Sequence, residues 1–489
     1  MQLDPTTCYR ALRARDRRFD GRFFVGVRTT GIYCRPVCPA RTPLRRNIDF
    51  FACAAAAEEA GLRPCKRCRP ETSPGTPAWL GSSALVSRAL RLIRDGALDD
   101  GDVAGLAGRL GIGDRQLRRL FDQHLGASPA AVARAQRLQA ARALIDQTTL
   151  PMLEIAAAAG FQSLRQFNHA VRQRFGAAPR ELRRRAPRRE AAVGESVALR
   201  IPYRPPLDWR GLLAFLAARA TPGVEQVAGG VYRRTVQVGE TVGWIEVSPA
   251  PGAAALQVRL SPCDGAALLP VLERVRRVFD LGADPLQIAA QLRGDERLRP
   301  LLRARPGLRV PGAWEPFEIA VRGVVGQQVT VAGATTLLGR LVARCGNRVD
   351  VADGLTHLFP TPAALAAADL AGIGMPAARV AALQGLAAAV ASGALQLDAA
   401  RGLDDAVARF RALRGIGEWT AQYIAMRGLG EPDAFPFGDL VLCQALGVRA
   451  AELARAAEAW RPWRAYAALH LWAESAHHRE HRGTQRRTA

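Results

Sequence analysis

The sequence is almost free of lysine: Lys66 is the only lysine among 68 basic residues in a chain of 489. This scarcity excludes a phosphate-cradling Walker loop, which needs a lysine, and any lysine-based chemistry later in the chain. No apolar run reaches the roughly 18 residues that a membrane span needs, and residues 1–7 are polar, which argues against a secretory signal. We therefore expect a cytoplasmic protein that does not bind a membrane.

Arginine supplies almost all of the positive charge, and the formal net charge is +24 at pH 7. A GC-rich coding bias explains why arginine replaces lysine, but it does not explain the surplus of basic over acidic residues. Such a surplus is typical of proteins that bind polyanions, because neutralised phosphates release counterions. A chain of this length also exceeds one ordinary core, so several domains are predicted.

Apolar periodicity and turn-forming residues predict a multidomain α+β protein. Prolines and glycines at 70–77 separate a cysteine-rich start from a helical segment, and residues 231–238, 243–247 and 255–260 alternate as antiparallel strands do. The expected segments are a small four-cysteine domain (1–75), an all-α domain (80–186), a linker (187–198), an antiparallel α+β domain (199–288), an all-α body (289–475) and a disordered tail (476–489).

Four cysteines form two close pairs, Cys34 with Cys38 and Cys65 with Cys68. Two such pairs can close around opposite sides of a tetrahedral zinc ion, so these four residues are the predicted zinc ligands. The alternative is four reduced thiols that bind no metal. Zinc-bound thiolates stay deprotonated, which makes the site a potential nucleophile, although purely structural zinc is commoner. Basic residues flank the cysteines, and the predicted contacts to a DNA backbone among them are Arg35, Arg41 and Arg45.

The segment FDGRFFVGVRTTGIYCRPVC at 19–38, together with RPCKRC at 63–68, resembles the N-terminal domain of the Ada adaptive-response family. In that family the first cysteine of the four irreversibly accepts a methyl group from a DNA methylphosphotriester, which weakens the repulsion between the cluster and DNA. The resemblance implies that Cys34 is the methyl acceptor and that the other three cysteines complete the zinc site.

The all-α segment contains an internal repeat of helix, short turn and helix, at 103–121 and again at 153–171. Asp114 and Ser163 are the predicted caps of the two second helices. The pair resembles the AraC-type DNA-binding domain, whose second helices enter the major groove, whereas a solvated polar helix face is the alternative. The implied reader candidates are Asp114, Arg115, Gln116, Arg118 and Arg119 in the first module and Ser163, Arg165, Gln166 and Asn168 in the second.

The sequence LRGIG at 413–417 lies between two helical segments, as in a helix-hairpin-helix motif. Gly415 and Gly417 allow backbone N–H groups to approach a DNA phosphate closely. Asp439 follows downstream at the spacing of the catalytic aspartate of this superfamily, and a carboxylate there can stabilise the positive charge that develops on a sugar during base release. The aromatic candidates for holding a flipped base are Trp419, Tyr423 and Trp472, although a capping aspartate and core aromatics are the structural alternative.

Four further stretches resemble the 3-methyladenine DNA glycosylase II (AlkA) family: YRPPLDW at 203–209, FLAARA at 215–220, RGVVGQQ at 322–328 and GIGEWTA at 415–421. The resemblance implies an antiparallel sheet domain followed by a helical body. Bifunctional relatives carry a Schiff-base lysine where this chain has Trp419, which implies a monofunctional enzyme that uses water. Gln328 occupies the position of a leucine wedge and is a predicted substrate contact, and Leu440 replaces an expected tyrosine.

Together these patterns predict an Ada–AlkA fusion that binds zinc and double-stranded DNA, removes alkylated bases through Asp439 and accepts methyl groups on Cys34. As an activator of transcription it is expected to contact RNA polymerase. The Pro-Cys-His-Arg motif of guanine-O6 transferases does not occur in the sequence, so that activity is not expected. The alternative is a DNA-binding regulator with an inactive glycosylase-like domain.

Overall fold

The computed structural model describes residues 4–74, 84–99, 101–186, 196–261 and 265–485. They belong to two compact units. The first unit comprises Met1–Pro205, Gln237–Arg276 and Leu281–Asp284, and the second comprises Pro206–Val236, Arg277–Asp280 and Pro285–Ala489. Most of the predicted linker at 187–198 lies outside the described residues, and a strand already begins at Val197.

Helices predominate among the described residues. The helices are α1 (Pro5–Ala14), α2 (Ala54–Glu59), α3 (Ala84–Arg94), α4 (Val103–Arg109), α5 (Asp114–Leu125), α6 (Pro129–Gln147), α7 (Met152–Ala158), α8 (Leu164–Phe175), α9 (Pro179–Arg185), α10 (Trp209–Ala217), α11 (Gly265–Val278), α12 (Pro285–Leu292), α13 (Leu298–Ala304), α14 (Pro316–Val325), α15 (Val331–Cys345), α16 (Pro362–Ala367), α17 (Ala377–Ala391), α18 (Leu403–Arg411), α19 (Glu418–Tyr423), α20 (Leu440–Leu446), α21 (Ala450–Ala457) and α22 (Arg464–Gln485). The strands are β1 (Phe24–Val27), β2 (Ile32–Cys34), β3 (Ile48–Phe51), β4 (Arg63–Pro64), β5 (Val197–Pro202), β6 (Glu225–Ala228), β7 (Val231–Val238), β8 (Thr241–Pro249), β9 (Ala255–Ser261), β10 (Arg348–Ala352) and β11 (Leu355–His357).

The first unit begins with a small sheet in the order β3-β1-β2-β4. Strand β1 is antiparallel to β2 and β3, whereas β2 and β4 are parallel and pair Tyr33 with Pro64. Strand β2 ends at Cys34 and β4 directly precedes Cys65, so this pairing brings the two cysteine pairs to the same end of the sheet.

The predicted helix-turn-helix repeat is present as α4 with α5 and α7 with α8. Helices α5 and α8 bury apolar residues on one face and end at a glycine with φ of +66°, which satisfies the last helical carbonyl without steric cost. Ser163 caps α8 as predicted, since its side chain accepts the N–H of Gln166. The predicted cap at Asp114 is wrong: Gly113 is the cap residue, and Asp114 is the first residue of α5.

The three strands expected between 231 and 260 are found as β7, β8 and β9, and the sequence prediction missed β5 and β6. In the first unit β9 pairs antiparallel with both β5 and β8, and in the second unit β6 pairs antiparallel with β7. Strand β6 was missed because only four residues separate the turns that bound it, too few to show a clear alternation.

The helical body of the second unit contains a short β10–β11 hairpin that the helical prediction did not include; its turn is Asp353-Gly354, a favoured hairpin sequence. Helix α22 continues to Gln485, ten residues beyond 475, where the disordered tail was expected to begin, and 486–489 lie outside the described residues. Among the described residues, no helix has the length and apolar character needed to cross a membrane.

Candidate zinc, DNA-reading and base-excision sites

The Sγ atoms of Cys34, Cys38, Cys65 and Cys68 all lie within 4.8 Å of one another. Four thiolates at about 2.3 Å from a tetrahedral zinc ion would have sulfurs separated by about 3.8 Å, so the cluster fits zinc with little movement. Three of the cysteines are buried, whereas Cys34 is partly exposed. Cys34 is therefore the most exposed residue of the four.

Arg35 points into the protein rather than towards solvent. Its backbone N–H donates to Cys68 Sγ at 3.4 Å, and its guanidinium pairs with Asp20 and donates to Thr72 Oγ1 at 2.6 Å. Arg41 and Arg45 are exposed. Of the three predicted phosphate contacts, Arg35 is thus engaged in holding the cluster, whereas the other two are accessible to DNA.

Tyr33, next to Cys34, connects the cysteine-rich part of the first unit to α8. Its hydroxyl donates to Glu58 Oε1 at 3.0 Å, and Arg174 of α8 pairs with Glu58 and donates to the same hydroxyl. Burial raises the pKa of Glu58 to about 7, although Arg174 and the Tyr33 hydroxyl act to lower it. This link was not predicted, because it joins residues far apart in the sequence.

The candidate DNA readers lie on the solvent side of α5 and α8. Buried residues of the two helices, among them Leu117 and Phe167, face the core, which leaves the polar positions outward. The exposed side chains are Asp114, Arg115, Gln116, Arg118, Arg119, Ser163, Arg165 and Gln166, whereas Asn168 is partly buried. Most of the candidate readers are thus exposed to solvent, as contact with a major groove would require.

Asp439 is buried, with 9% of its surface exposed, and receives hydrogen bonds on both carboxylate oxygens. The indole N–H of Trp419 donates to Oδ2 at 2.9 Å and that of Trp472 to Oδ1 at 3.1 Å. Oδ1 also accepts the backbone N–H of Leu442 at 3.0 Å, which makes Asp439 the N-cap of α20. Trp419 and Trp472, both predicted site residues, therefore meet at the carboxylate of Asp439, the third, and their hydrogen bonds fix its orientation.

The fourth, Tyr423, stacks on Trp419 with ring centroids 5.2 Å apart and planes inclined by 9°. Its hydroxyl accepts a hydrogen bond at 2.7 Å from Arg427, a buried residue that also donates to Pro311 O at 2.8 Å. Burial acts to raise the pKa of Tyr423, but the guanidiniums of Arg427, Arg219 and Arg322 outweigh it and lower that pKa. Arg219 and Arg322 lie in stretches that resemble the AlkA family, but the sequence analysis assigned no role to any of the three arginines.

The glycine hairpin and the loop before α15 lie side by side. Gly415 has φ of +86°, and a Cβ there would lie 2.5 Å from that of Ala382, so only glycine fits. The Gln327 side chain donates to Gly415 O at 2.9 Å and to Thr420 Oγ1 at 3.2 Å. Gln328, at the tip of this loop, is exposed with φ of +55°. Through Gln327, the structure connects Gly415 of the hairpin, a predicted phosphate contact, to the loop that carries Gln328, a predicted substrate contact.

Leu440, which follows Asp439, has 75% of its surface exposed. It is the first residue of α20, directly after the capping Asp439.

Family models match the AlkA N-terminal domain at residues 198–315, the metal binding domain of Ada at 7–71 and a helix-turn-helix domain at 106–185. The Ada match contains all four clustered cysteines. Together with the geometry of the sulfurs, it identifies the cluster as a zinc site.

The chain is 46% identical over 486 residues to the probable bifunctional transcriptional activator/DNA repair enzyme AlkA of Mycobacterium tuberculosis, with 98% of each chain covered. It is 40% identical over 279 residues to DNA-3-methyladenine glycosylase 2 of Escherichia coli, covering 55% of this chain and 95% of that protein. A 3-methyladenine DNA-glycosylase from Archaeoglobus fulgidus matches with a TM-score of 0.51 and 22% identity, covering 57% of this chain and 98% of the other, which shows a shared fold.

Proposed function

This chain belongs to the bifunctional Ada–AlkA family of transcriptional activator and DNA repair proteins, and we propose that its second unit hydrolyses the N-glycosidic bond of alkylated bases such as 3-methyladenine. The observation that carries this proposal is the convergence of two indole donors on Asp439, beside a glycine hairpin suited to a DNA phosphate. The sugar becomes oxocarbenium-like as the glycosidic bond breaks, and a fixed, partly desolvated carboxylate stabilises its positive charge.

The reaction requires a flipped base whose C1′–N bond breaks. The bonding electrons pass to the base, which leaves as a neutral molecule if alkylation had made it cationic, and water adds to C1′. Asp439 stabilises the positive charge on the sugar and accepts the proton that water loses. Trp419, Tyr423 and Trp472 supply aromatic faces around the flipped base, and Gln328 fills the space that it leaves in the duplex.

The test measures release of 3-methyladenine from methylated duplex DNA by wild type, Asp439→Asn and a control, Asp353→Asn. Asp353 is an exposed carboxylate in the β10–β11 turn, where asparagine is equally suitable. We expect release by wild type and control and a loss of about 100-fold or more in Asp439→Asn. No release by folded wild type would favour the alternative, a regulator with an inactive glycosylase-like domain.

In the first unit, we propose that Cys34 accepts a methyl group from a DNA methylphosphotriester, because it alone of the four cysteines is partly exposed. A zinc ion held by Cys34, Cys38, Cys65 and Cys68 would keep the thiols ionised. The Cys34 sulfur attacks the methyl carbon, an S–C bond forms, the C–O bond to phosphate breaks, and the electron pair stays on the oxygen of the restored phosphodiester. The product is a neutral thioether, which lowers the negative charge beside the DNA backbone.

Mass spectrometry after incubation with methylphosphotriester DNA tests this assignment. One added methyl is expected on the peptide that contains Cys34, and a methyl on Cys38, Cys65 or Cys68 would contradict it. The methylated, cytoplasmic protein is then expected to bind promoter DNA through α5 and α8 and to recruit RNA polymerase. A transcription assay with purified polymerase, with and without prior methylation, measures that step.

A further inference from the structure

Asp439 follows a segment of the second unit that has no regular secondary structure. This segment, which we call the aspartate loop (residues 432–438), is mostly buried and leads directly into α20. It ends in a turn in which the Asp439 N–H donates to Pro436 O at 3.1 Å. Because no helix or strand hydrogen bonds fix the loop, the position of Asp439 depends on contacts that neighbouring helices make with it.

Helix α22 begins against the start of this loop. The Ala465 N–H is one of the first N–H groups of the helix, which have no partner within it, and it donates to Pro432 O at 2.9 Å. Arg464 Nε donates to Asp433 O at 2.9 Å and to Oδ1 at 2.8 Å, and Nη2 donates to Oδ2 at 3.2 Å. Arg464 is 3% exposed, so one buried guanidinium binds both the backbone and the side chain of Asp433.

The position of Arg464 is unfavourable for the helix itself. A cation in the first turn opposes the helix dipole, which favours carboxylates there. Asp433 compensates the charge together with Glu458, whose Oε1 accepts Nη1 at 3.2 Å, and the guanidinium lies 5.4 Å from the centroid of the Phe437 ring. Attachment of the loop therefore explains an arginine at this position, whereas helix stability does not.

The same helix also reaches the other end of the loop. Trp472 follows Arg464 by eight residues, about 12 Å along the helix axis, and donates to Asp439 Oδ1 at 3.1 Å. Helix α19 binds the middle of the loop, since Gln422 Oε1 accepts the Phe435 N–H at 3.0 Å. The start of the loop and the carboxylate that follows it are thus attached to one helix.

We propose that Arg464 is a positioning residue for base excision: by attaching Asp433 to the start of α22, it places the Asp439 carboxylate where both indoles can bind it. The proposal rests on the glycosylase function proposed above. Arg464 acts through the loop rather than on the base or the sugar. Its effect should be large, because a displacement of about 1 Å at a reacting group can slow a reaction about 100-fold.

The first experiment measures single-turnover release of 3-methyladenine by Arg464→Lys, with binding of abasic DNA as a second readout. Lysine keeps the charge but lacks the planar fork that binds several acceptors at once. The control is Arg461→Met, because Arg461 also donates to the Asp433 carboxylate, at 2.6 Å, but its side chain is 50% exposed. Among the described residues, Arg461 donates to no backbone oxygen of the loop.

We expect release by Arg464→Lys to be slower by about tenfold or more, with unchanged affinity for abasic DNA, and release by the control at the wild-type rate. A wild-type rate in Arg464→Lys would overturn the proposal. An equal loss in the two variants would do the same, because it would show that the charge on Asp433, and not the attachment of the loop, determines the rate.

The second experiment distinguishes positioning from a loss of stability and does not depend on activity. Nuclear magnetic resonance follows the indole N–H signals of Trp419 and Trp472, which are assigned with Trp419→Phe and Trp472→Phe. Both signals should shift in Arg464→Lys, because the carboxylate that they bind has moved, and both should stay in place in Arg461→Met. A protein that is only less stable keeps its native hydrogen bonds, so slower release with unchanged signals would contradict the proposal.

The two experiments also separate this proposal from the glycosylase function. Shifted indole signals in Arg464→Lys, together with a folded wild type that releases no base, would refute the glycosylase function alone. Base release by wild type, together with unchanged signals and an unchanged rate in Arg464→Lys, would refute the positioning role alone.

Discussion

Trp472 donates its indole N–H to the same oxygen of Asp439 that caps helix α20. The carboxylate of the base-excision site is thus held by a helix terminus on one side and by aromatic donors on the other. The orientation of the carboxylate and the local stability of α20 therefore depend on the same oxygen atom.

This dual use predicts different effects for two substitutions of Asp439. Asparagine keeps an oxygen that can cap α20, so Asp439→Asn should lose activity but little stability. Asp439→Ala removes the cap and should lower the free energy of unfolding by about a further 1 kcal/mol. Urea denaturation of both variants measures the difference, and equal stabilities would show that the cap contributes nothing.

Removing one indole donor should slow base release without weakening DNA binding. Trp472→Phe keeps an aromatic ring but loses the 3.1 Å hydrogen bond to Asp439, and we expect a rate loss of about tenfold. Single-turnover kinetics measure the rate, and binding of abasic DNA is the control. A Trp472→Phe variant as fast as wild type would show that the carboxylate keeps its orientation without this donor.

The buried pair between Glu58 and Arg174 predicts a large effect on the stability of the first unit. Their side chains are 20% and 7% exposed, so Arg174→Met leaves a carboxylate without its cation and should cost about 3 kcal/mol. The matched control is Arg185→Met, which breaks an exposed pair with Glu181 and should cost less than about 0.5 kcal/mol. Similar losses in the two variants would contradict the buried link, and adding Glu58→Gln to Arg174→Met should restore part of the stability.

His470 makes the second unit sensitive to mild acid. Burial, with a smaller contribution from Arg305, lowers the pKa of His470 from 6.5 to about 4. Below pH 6.5 the unfolded chain binds a proton that the folded chain does not, so stability is lost as the pH falls towards 4. The loss at pH 5 should be about 2 kcal/mol, and His470→Leu should abolish it. Urea denaturation at pH 7 and pH 5 measures both proteins, and parallel losses would contradict the assignment.

Removal of zinc should separate the two activities. Chelation leaves four clustered thiols without their ion and should unfold the region around β1–β4, because structural zinc contributes directly to folding. We expect loss of methyl acceptance and faster proteolysis before residue 75, with base release from the second unit retained. Cys65→Ser should give the same pattern together with a lower zinc content, and loss of base release on chelation would show that the second unit depends on the metal.

Short-range signals in the sequence predicted side chains that the structure brings together at the two candidate sites. The spacing of the cysteines predicted the cluster. The glycine hairpin followed by Asp439 predicted the region where Trp419 contacts the carboxylate and Tyr423 stacks on Trp419. In each case residues close in sequence, or a motif with fixed spacing, determine the geometry.

The contacts that sequence analysis missed are those between residues that lie far apart in the chain and meet only in the folded structure. Arg35 was expected at a phosphate, but its partner Asp20 lies in another turn of the chain. The arginines around Tyr423 come from three separate segments, and although Arg219 and Arg322 lie in family-like stretches, nothing in those stretches places them beside Tyr423. Charge pairing in the interior is therefore the part of this site that sequence analysis missed.

The repeated helix-turn-helix modules have a practical consequence for regulator engineering. Leu117, Phe121 and Leu125 of α5 occupy the positions that Phe167, Val171 and Phe175 occupy fifty residues later in α8, while the outward faces of the two helices differ. The buried face of each helix is thus equivalent to that of the other, whereas the exposed face is not. The exposed residues of one helix can therefore be substituted into the other without changing its buried face. On the DNA-reading role proposed for α5 and α8, such chimeras should exchange half-site preference between the two modules while the buried faces keep their packing.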